Sequence, residues 1–200
     1  FPEYGTLNED YFNDRARFKT NSNLPGSLFG YLDKNGGVAI APRFQRAEDF
    51  SEDCACVYEQ GKAGFIDRQG NTLTEFKFEG CGKFSEGLAA AKLNGQWGYI
   101  NKTGDFVIQP QFAEAKDFSE GVAIISLVVN GKYGAIDKTG RLVIQPQFIE
   151  LSTFRGGIAW ANLTDSIVVD GEPDDWAYIN PQGKFIWRTP LGKKRISSVR

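Results

Sequence analysis

Short apolar segments alternate with glycine-containing turns along the chain, and no apolar run is long enough to cross a membrane as a helix. In the clearest segment, Trp97 and Tyr99 point to one side of a predicted strand, and Gly98 and Ile100 point to the other. Both faces of that strand therefore carry apolar groups, as expected of a sheet that neighbours cover on both sides. The pattern predicts many short strands and an all-β fold.

The same pattern recurs, so the chain is a tandem repeat with about four and a half copies of a unit of roughly 34 residues. Residues 84–112 and 118–148 are its two best copies. The residue after the leading aromatic position marks the register at intervals of 34, 34, 36 and 43 residues: Gly30, Gly64, Gly98, Gly134 and Ala177. The extra residues lie near 128–129 and between 162 and 176, where we expect loop or strand-end extensions.

Two turn signals divide each unit into three strands. Asn94-Gly95 and Asn130-Gly131 are typical of type I′ hairpin turns, in which both central residues have positive φ. The second signal is Asx-x-x-Gly, which favours a type I turn that ends in a left-handed glycine, and it begins at Asp33, Asp67, Asn101, Asp137 and Asn180. The unit is therefore predicted to be a three-stranded antiparallel meander.

Proline and phenylalanine recur after the third strand. Pro42, Pro110 and Pro146 remove a ladder donor and are expected to end strand pairing. The phenylalanines are predicted to pack between successive units; they are Phe44, Phe112 and Phe148, with Phe50, Phe84, Phe118 and Phe154.

These motifs resemble the bacterial WG repeat, whose unit reads approximately F-S-E-G-L-A, N-G-K-W-G-Y-I-D-K-T-G and V-I-x-P-Q-F. The resemblance implies a tandem β-repeat domain without catalytic chemistry of its own. This chain departs from the pattern at Ala63, at residues 53–56 and 75–78, and at Ala177.

The predicted organisation is an N-terminal segment or partial unit at 1–28, a WG-type repeat domain at 29–187 with units starting near 29, 63, 97, 133 and 176, and a basic tail at 188–200. We expect the meanders to stack into an open elongated or curved array, because the units are short for four-stranded blades. The alternative is a closed propeller-like ring, in which residues 195–200 supply a strand missing from the first unit.

Composition excludes several functional classes. A formal net charge of −2 offers no broad basic field, so nucleic acid is not expected as a partner, and neither is membrane insertion. The chain contains no Met, which favours a processed or excised form and an extracytoplasmic location at the bacterial cell envelope. Three cysteines, Cys54, Cys56 and Cys81, cannot all pair internally. Cys54 and Cys56 share one strand face, so either can approach Cys81 but they cannot pair with each other.

The chain contains no His, which removes the usual general base and a common metal ligand. Glu86, Glu120, Asp67 and Asp137 occupy repeated turn or strand-entry positions, where a structural role explains them. We therefore expect no enzyme, no catalytic residue, no cofactor and no metal.

Binding is predicted where the repeat is interrupted, because loops on a rigid scaffold can vary without disturbing the strands. The candidate residues lie in and beside the insertion at 162–175: Trp160, Asp165, Asp170, Glu172, Asp174, Asp175 and Trp176. These carboxylates could also ligate Ca²⁺, although their spacing matches no EF-hand loop and a solvated insertion is preferred.

A repeated column of aromatic residues could also form a groove, although packing between units explains it more simply; it comprises Phe29, Trp97, Tyr133 and Trp176, with Tyr31, Phe65, Tyr99 and Tyr178. The expected function is a non-catalytic binding or scaffolding module with a protein partner. A cell-envelope glycan is the alternative partner, and a spacer domain associated with an enzyme is less favoured.

Overall fold

The computed structural model describes residues 4–7, 14–20, 26–163 and 176–188, and every regular element in them is a β-strand. The strands fall into two compact units, residues 1–118 and residues 119–200. No helix among the described residues is long and apolar enough to span a membrane. The predicted all-β repeat of antiparallel meanders is confirmed.

The described residues of the first unit form twelve strands. Their bounds are β1 Tyr4–Leu7, β2 Arg15–Thr20, β3 Phe29–Asp33, β4 Val38–Phe44, β5 Arg46–Ala47, β6 Cys54–Glu59, β7 Lys62–Asp67, β8 Gly80–Cys81, β9 Ala89–Leu93, β10 Gln96–Ile100, β11 Phe106–Phe112 and β12 Glu114–Ala115. They build the sheets β1-β2-β3-β4, β5-β6-β7 and β8-β9-β10-β11, all antiparallel.

The second unit repeats the meander twice. Its strands are β13 Val122–Ser126, β14 Tyr133–Asp137, β15 Leu142–Phe148, β16 Glu150–Leu151, β17 Ala159–Asn162, β18 Trp176–Ile179 and β19 Phe185–Arg188. They pair as β13-β14-β15 and as β16-β17-β18-β19, again antiparallel.

The meanders differ from the predicted three strands because the connector contributes a strand of two residues. The strands β5, β8 and β16 each pair with the first long strand of the meander that follows. Sheets such as β8–β11 therefore have four strands, the number in a propeller blade. The argument that these units are too short for four-stranded blades is wrong, so the open array stays a prediction beside its propeller-like alternative.

The N-terminal segment supplies the strand that the first meander lacked in the sequence analysis. Arg15–Thr20 pairs with Phe29–Asp33, and Ala16 and Phe18 are buried. The proposal that residues 195–200 fill this position is wrong, because β2 already occupies it. Residues 195–200 lie outside the described residues.

The Asx-x-x-Gly turns are formed as predicted. Asp137 Oδ1 accepts the N–H groups of Thr139 and Arg141, and Gly140 N donates to the Asp137 carbonyl at 2.9 Å. The five closing glycines all have left-handed φ, between +76° and +86°. The hydrogen bonds, the first of them from the Thr139 hydroxyl, lower the pKa of Asp137 to about 2.

One of the two predicted type I′ turns is wrong. Asn94 and Gly95 have φ of 52° and 79°, as a type I′ turn requires. Asn130 also has positive φ but Gly131 does not, and Ser126 pairs with Tyr133, so the connection spans residues 127–132. The two-residue insertion near 128–129 lies in this longer loop and displaces the tight turn.

The prolines do not end strand pairing, because β4, β11 and β15 continue through them to a buried phenylalanine. In the third sheet, Trp97 pairs with Phe112 and Tyr99 with Ile108, so the ladder contains a bulge. Pro110 lies in this bulge opposite Gly98, where a missing N–H costs little. A Cβ on Gly98 would lie 2.5 Å from the Ile108 carbonyl oxygen, which explains why glycine follows the leading aromatic residue.

Candidate functional site

The sheet β16–β19 carries three large aromatic side chains side by side on one face. Trp160 on β17 pairs with Tyr178 on β18, which pairs with Trp187 on β19. Their exposed fractions are 41%, 47% and 50%. We call Trp160, Tyr178 and Trp187 the aromatic row.

The corresponding positions are buried in the second, third and fourth meanders. They are Cys56, Phe65 and Thr74 in the second, Ala90, Tyr99 and Ile108 in the third, and Ile124, Ala135 and Ile144 in the fourth. In the first meander Tyr31 and Ile40 are buried and Arg17 is half-buried. The row is therefore the place where this chain leaves exposed a surface that three of its other meanders bury.

The connector phenylalanines are buried as predicted, and three of them cover the middle strand of the preceding meander within the first unit. The ring pairs Tyr31–Phe50, Phe65–Phe84 and Tyr99–Phe118 all meet edge to face, with centroids 4.8 Å apart. Tyr31 and Tyr99 also donate their hydroxyl protons to the carbonyls of Glu48 and Lys116, each at 2.7 Å. Burial raises the pKa of both tyrosines.

The rings of the last sheet meet at an angle. Trp160 and Trp176 pack edge to face, with centroids 5.0 Å apart and planes inclined by 61°. Tyr178 and Trp187 are 6.0 Å apart and inclined by 53°. The row is therefore a ridged surface and not a flat platform.

A shallow groove of about 450 Å³ lies beside the row. We call it the terminal groove. It is lined by Ser152, Thr153, Arg155, Ile158, Trp160 and Tyr178. Ser152 Oγ accepts the backbone N–H of Trp160 at 2.9 Å, which fixes the strand carrying the indole. Arg155 and Ile158 close a tight turn through reciprocal backbone hydrogen bonds of 3.0 and 3.3 Å.

The structure brings together only part of the site predicted from the sequence. Trp160 and Trp176 are in contact, with Trp160 exposed and Trp176 half-buried. Asp165, Asp170, Glu172, Asp174 and Asp175 lie outside the described residues. The described residues therefore test neither the solvated insertion that was predicted nor its calcium-binding alternative.

Sequence reasoning missed Trp187 and Arg155 as site residues, and it named Tyr178 only in the alternative aromatic column. Alternation offered a signal, because Trp176 and Tyr178 share one strand face. Trp187 follows from the register, since it aligns with Ile108 and Ile144. The rest of the aromatic column divides as follows: Tyr31, Phe65 and Tyr99 are buried, and Phe29, Trp97 and Tyr133 are half-buried.

A second cavity of about 430 Å³ lies in the first unit, lined by Glu48, Asp49, Phe50, Ser51, Cys81, Gly82, Lys83 and Asp117. Most of its polar groups are already paired within the protein. Arg17 forms ion pairs with Glu48 and Asp49, at 3.5 and 3.6 Å. Asp117 accepts the Lys83 backbone N–H at 3.2 Å, and burial raises the pKa of its carboxyl group. The described residues contain no group of three or more His, Cys, Asp or Glu able to hold a metal ion.

The cysteines pair in one of the two ways that the sequence allowed. Cys56 on β6 and Cys81 on β8 form a disulfide, with their Cα atoms 6.1 Å apart. The bond links the second meander to the third. Cys54 is a free buried thiol, and burial raises its pKa. Cys54 is therefore a core residue, and because its raised pKa leaves little thiolate it is a poor nucleophile.

The repeated meanders define a tandem-repeat β module, a class consistent with a binding or scaffolding role. The WG containing repeat model matches residues 29–62, 64–97, 97–133 and 133–165, which together make up more than half of the chain. The chain belongs to the WG containing repeat family.

Solved structures with a similar fold include Kluyveromyces lactis Hsv2, with 14% identity and a TM-score of 0.54 over 90% of this chain and 62% of that one. A eukaryotic initiation factor has 12% identity and a TM-score of 0.56, over 90% and 53%. A Kluyveromyces lactis Hsv2 variant with loop 6CD replaced by a Gly-Ser linker has 13% identity and a TM-score of 0.52, over 91% and 77%. These likenesses show the fold alone. A search of curated proteins found no match.

Proposed function

We propose that the chain is a non-catalytic binding module that recognises a protein partner through the aromatic row of its last sheet. The observation behind the proposal is the exposure of Trp160, Tyr178 and Trp187 at positions that the second, third and fourth meanders bury. Tryptophan and tyrosine dominate the energetics of protein interfaces because they bury large areas at a small entropy cost. A partner that covers the row restores the burial seen in the rest of the chain.

The composition supports a binding role over an enzymatic one. The chain lacks His, and the residues lining the terminal groove include no carboxylate or thiol. The described residues that line the groove offer no general base to activate the Ser152 hydroxyl as a nucleophile. The Ser152 oxygen instead accepts the backbone N–H of Trp160. We therefore assign Ser152 a structural role.

Ring orientation favours protein over glycan as the partner. Sugar rings stack best on aromatic faces that lie flat and open, whereas these rings are inclined by 61° and 53° to their neighbours. Such a ridged surface interdigitates with side chains of varied shape. A cell-envelope glycan remains the alternative partner that the experiment must separate.

The test is affinity capture from the source organism's lysate beside a binding assay on isolated cell wall. The bait is the intact chain, and the variant is Trp160→Ala with Trp187→Ala. Val129→Ala is the matched control, because Val129 is an apolar side chain with 75% exposure outside the aromatic row.

We expect the chain and its Val129→Ala control to retain the same protein, and the double tryptophan variant to lose it. Circular dichroism must show that the variant keeps its strands. Retention on the cell wall alone would replace the protein partner with a glycan. Equal retention of the protein by all three chains would refute the aromatic row as the binding surface.

A further inference from the structure

The connectors of earlier repeats carry a serine and a glutamate that hold the next repeat in place. Ser51 Oγ donates to the Phe84 carbonyl at 2.7 Å, and Glu52 Oε2 accepts the Gly87 N–H at 3.1 Å. The second unit repeats both bonds. There, Ser119 Oγ donates to the Phe154 carbonyl at 2.8 Å, and Glu120 Oε2 accepts the Gly157 N–H at 2.8 Å.

The last connector lacks both groups. Arg155 and Gly156 stand where the earlier repeats have serine and glutamate, so neither hydrogen bond to a following repeat can form. Trp160 stands where Cys56 and Ala90 lie, so a large exposed indole replaces a small buried side chain. The last described sheet therefore lacks the two side chains that hold the next repeat at the earlier connectors.

The sheet face that carries the aromatic row nevertheless retains an aromatic residue, Tyr178, at the position on which a phenylalanine ring packs in earlier repeats. Tyr178 aligns with Tyr31, Phe65 and Tyr99, each of which receives a phenylalanine ring edge to face at 4.8 Å. An incoming ring that packs on Tyr178 in the same way would lie beside the terminal groove. The register thus indicates an aromatic side chain as one element of the ligand.

Arg155 supplies the other element. It is exposed and, of the described residues that line the terminal groove, it alone carries a charge. Among the described residues its guanidinium has no ion-pair partner. Guanidinium binds carboxylate through two parallel hydrogen bonds, which gives the contact both strength and direction.

We propose that the terminal groove binds a peptide segment of a partner protein in which an aromatic residue lies next to a carboxylate. The ring packs on Tyr178 and Trp160, and the carboxylate pairs with Arg155. This inference rests on the proposed function, because it names the class of partner that the aromatic row recognises. Arg155 then makes binding depend on the charge of the residues beside the aromatic side chain of the peptide.

The experiment uses the full chain and three short acetylated peptides, with binding followed by tryptophan fluorescence at low salt. One peptide has a phenylalanine between two glutamates, and the others have glutamines or lysines in their place. We expect the glutamate peptide to bind about tenfold more tightly than the glutamine peptide, the effect of about one charge-assisted hydrogen-bonded pair. Added salt should reduce the difference.

The variant Arg155→Glu should reverse the order, so that the lysine peptide binds most tightly. Lys132→Glu is the matched control, because it makes the same charge change at an exposed residue that does not line the groove. It should keep the preference for glutamate. A reversal in both variants would show a general effect of net charge and would overturn the role of Arg155.

Other outcomes separate this inference from the proposed function. If all three peptides bind equally and Trp160→Ala abolishes binding, the pairing of a peptide carboxylate with Arg155 is refuted. The aromatic row then remains supported as a binding surface. If no peptide binds the intact chain but the glutamate peptide binds a variant with residues 163–175 shortened, the chain's own acidic insertion is the occupant. That result would overturn the claim that a segment of another protein occupies the groove. If no peptide binds either the intact chain or the shortened variant, the whole inference is overturned.

Discussion

Replacing Gly98 with alanine tests how the repeat closes its bulge. The added Cβ would lie 2.5 Å from the Ile108 carbonyl oxygen, 2.7 Å from the Pro110 nitrogen and 2.9 Å from the Gln109 carbonyl carbon. All three atoms belong to the backbone, so no side-chain rotation relieves the contact. The strands β10 and β11 must separate by about 1 Å to reach an ordinary contact distance, which weakens their hydrogen bonds.

Overpacking a well-ordered interior usually costs about 1–3 kcal/mol, and a clash with backbone belongs at the upper end. Alanine also gains about 0.5–1 kcal/mol over glycine by restricting the unfolded chain. We therefore expect Gly98→Ala to lower the free energy of unfolding by about 2 kcal/mol. Urea denaturation followed by circular dichroism should show a midpoint lower by about 1 M, with an unchanged slope.

Gly64→Ala is the matched control because Gly64 has the same position in the second meander. Its Cβ would meet the ring of Phe76 at 2.9 Å, a side chain that can move, since this meander lacks the proline exit. We expect a loss below about 1 kcal/mol. Equal losses for the two variants, or no loss for Gly98→Ala, would refute the explanation of the repeated glycine.

Four further predictions follow from the described contacts and from the repeat pattern. Ser119→Ala removes the hydrogen bond to the Phe154 carbonyl and should cost about 1 kcal/mol in urea denaturation; an unchanged midpoint would contradict this. The pKa of Asp137 is lowered to about 2 from 3.8, so its stabilising contribution is present above about pH 4 and lost as pH falls towards 2, and Asp137→Asn should flatten acid denaturation in that window. Reducing the Cys56–Cys81 disulfide, whose cysteines are 25 positions apart in sequence, should cost about 3 kcal/mol, and thiol titration of the unreduced, denatured chain should find one free thiol. Shortening residues 162–175 to an Asn-Gly turn should leave the melting temperature nearly unchanged and weaken partner capture; unaltered capture would remove the insertion from the site.

The local geometry of the repeat was predictable because its turns depend on neighbouring residues. Asp137 and Gly140 form the expected turn, since an Asx oxygen accepts nearby N–H groups and glycine tolerates left-handed φ. The role of Pro110 was predicted wrongly. A missing donor ends a regular ladder but is tolerated in a bulge, and the bulge depends on the partner strand.

The strand β2 could have been predicted, because Ala16 and Phe18 alternate with Arg15, Arg17 and Lys19 in the manner of a half-buried strand. Residues 1–28 were predicted only as an N-terminal segment or partial unit, without a strand. The first recognisable copy of the repeat motif begins at the middle strand, with Phe29, and β2 keeps only the final alanine of F-S-E-G-L-A, Ala16. A prediction of β2 therefore had to rest on its alternating apolar pattern alone.

The exposure of the aromatic row could not be predicted from motif residues alone. Apart from Ala177 in place of Gly98, Tyr178 has the same neighbours in sequence as Tyr99, yet Tyr99 is buried beneath Phe118 and Tyr178 is 47% exposed. The difference arises from which residues pack on the sheet, a tertiary property. The substitution of Arg155 and Gly156 for serine and glutamate is the sequence signal that marks the change.

Footprinting of tryptophan side chains with hydroxyl radicals, with and without the captured partner, shows whether the partner covers the aromatic row. Trp160 and Trp187 belong to the aromatic row, and the half-buried Trp97 of the third meander serves as an internal reference in the same chain. The account predicts that the partner slows oxidation of Trp160 and Trp187 severalfold and leaves Trp97 unchanged. Protection of Trp97 with continued oxidation of Trp160 and Trp187 would place the partner elsewhere and contradict the account.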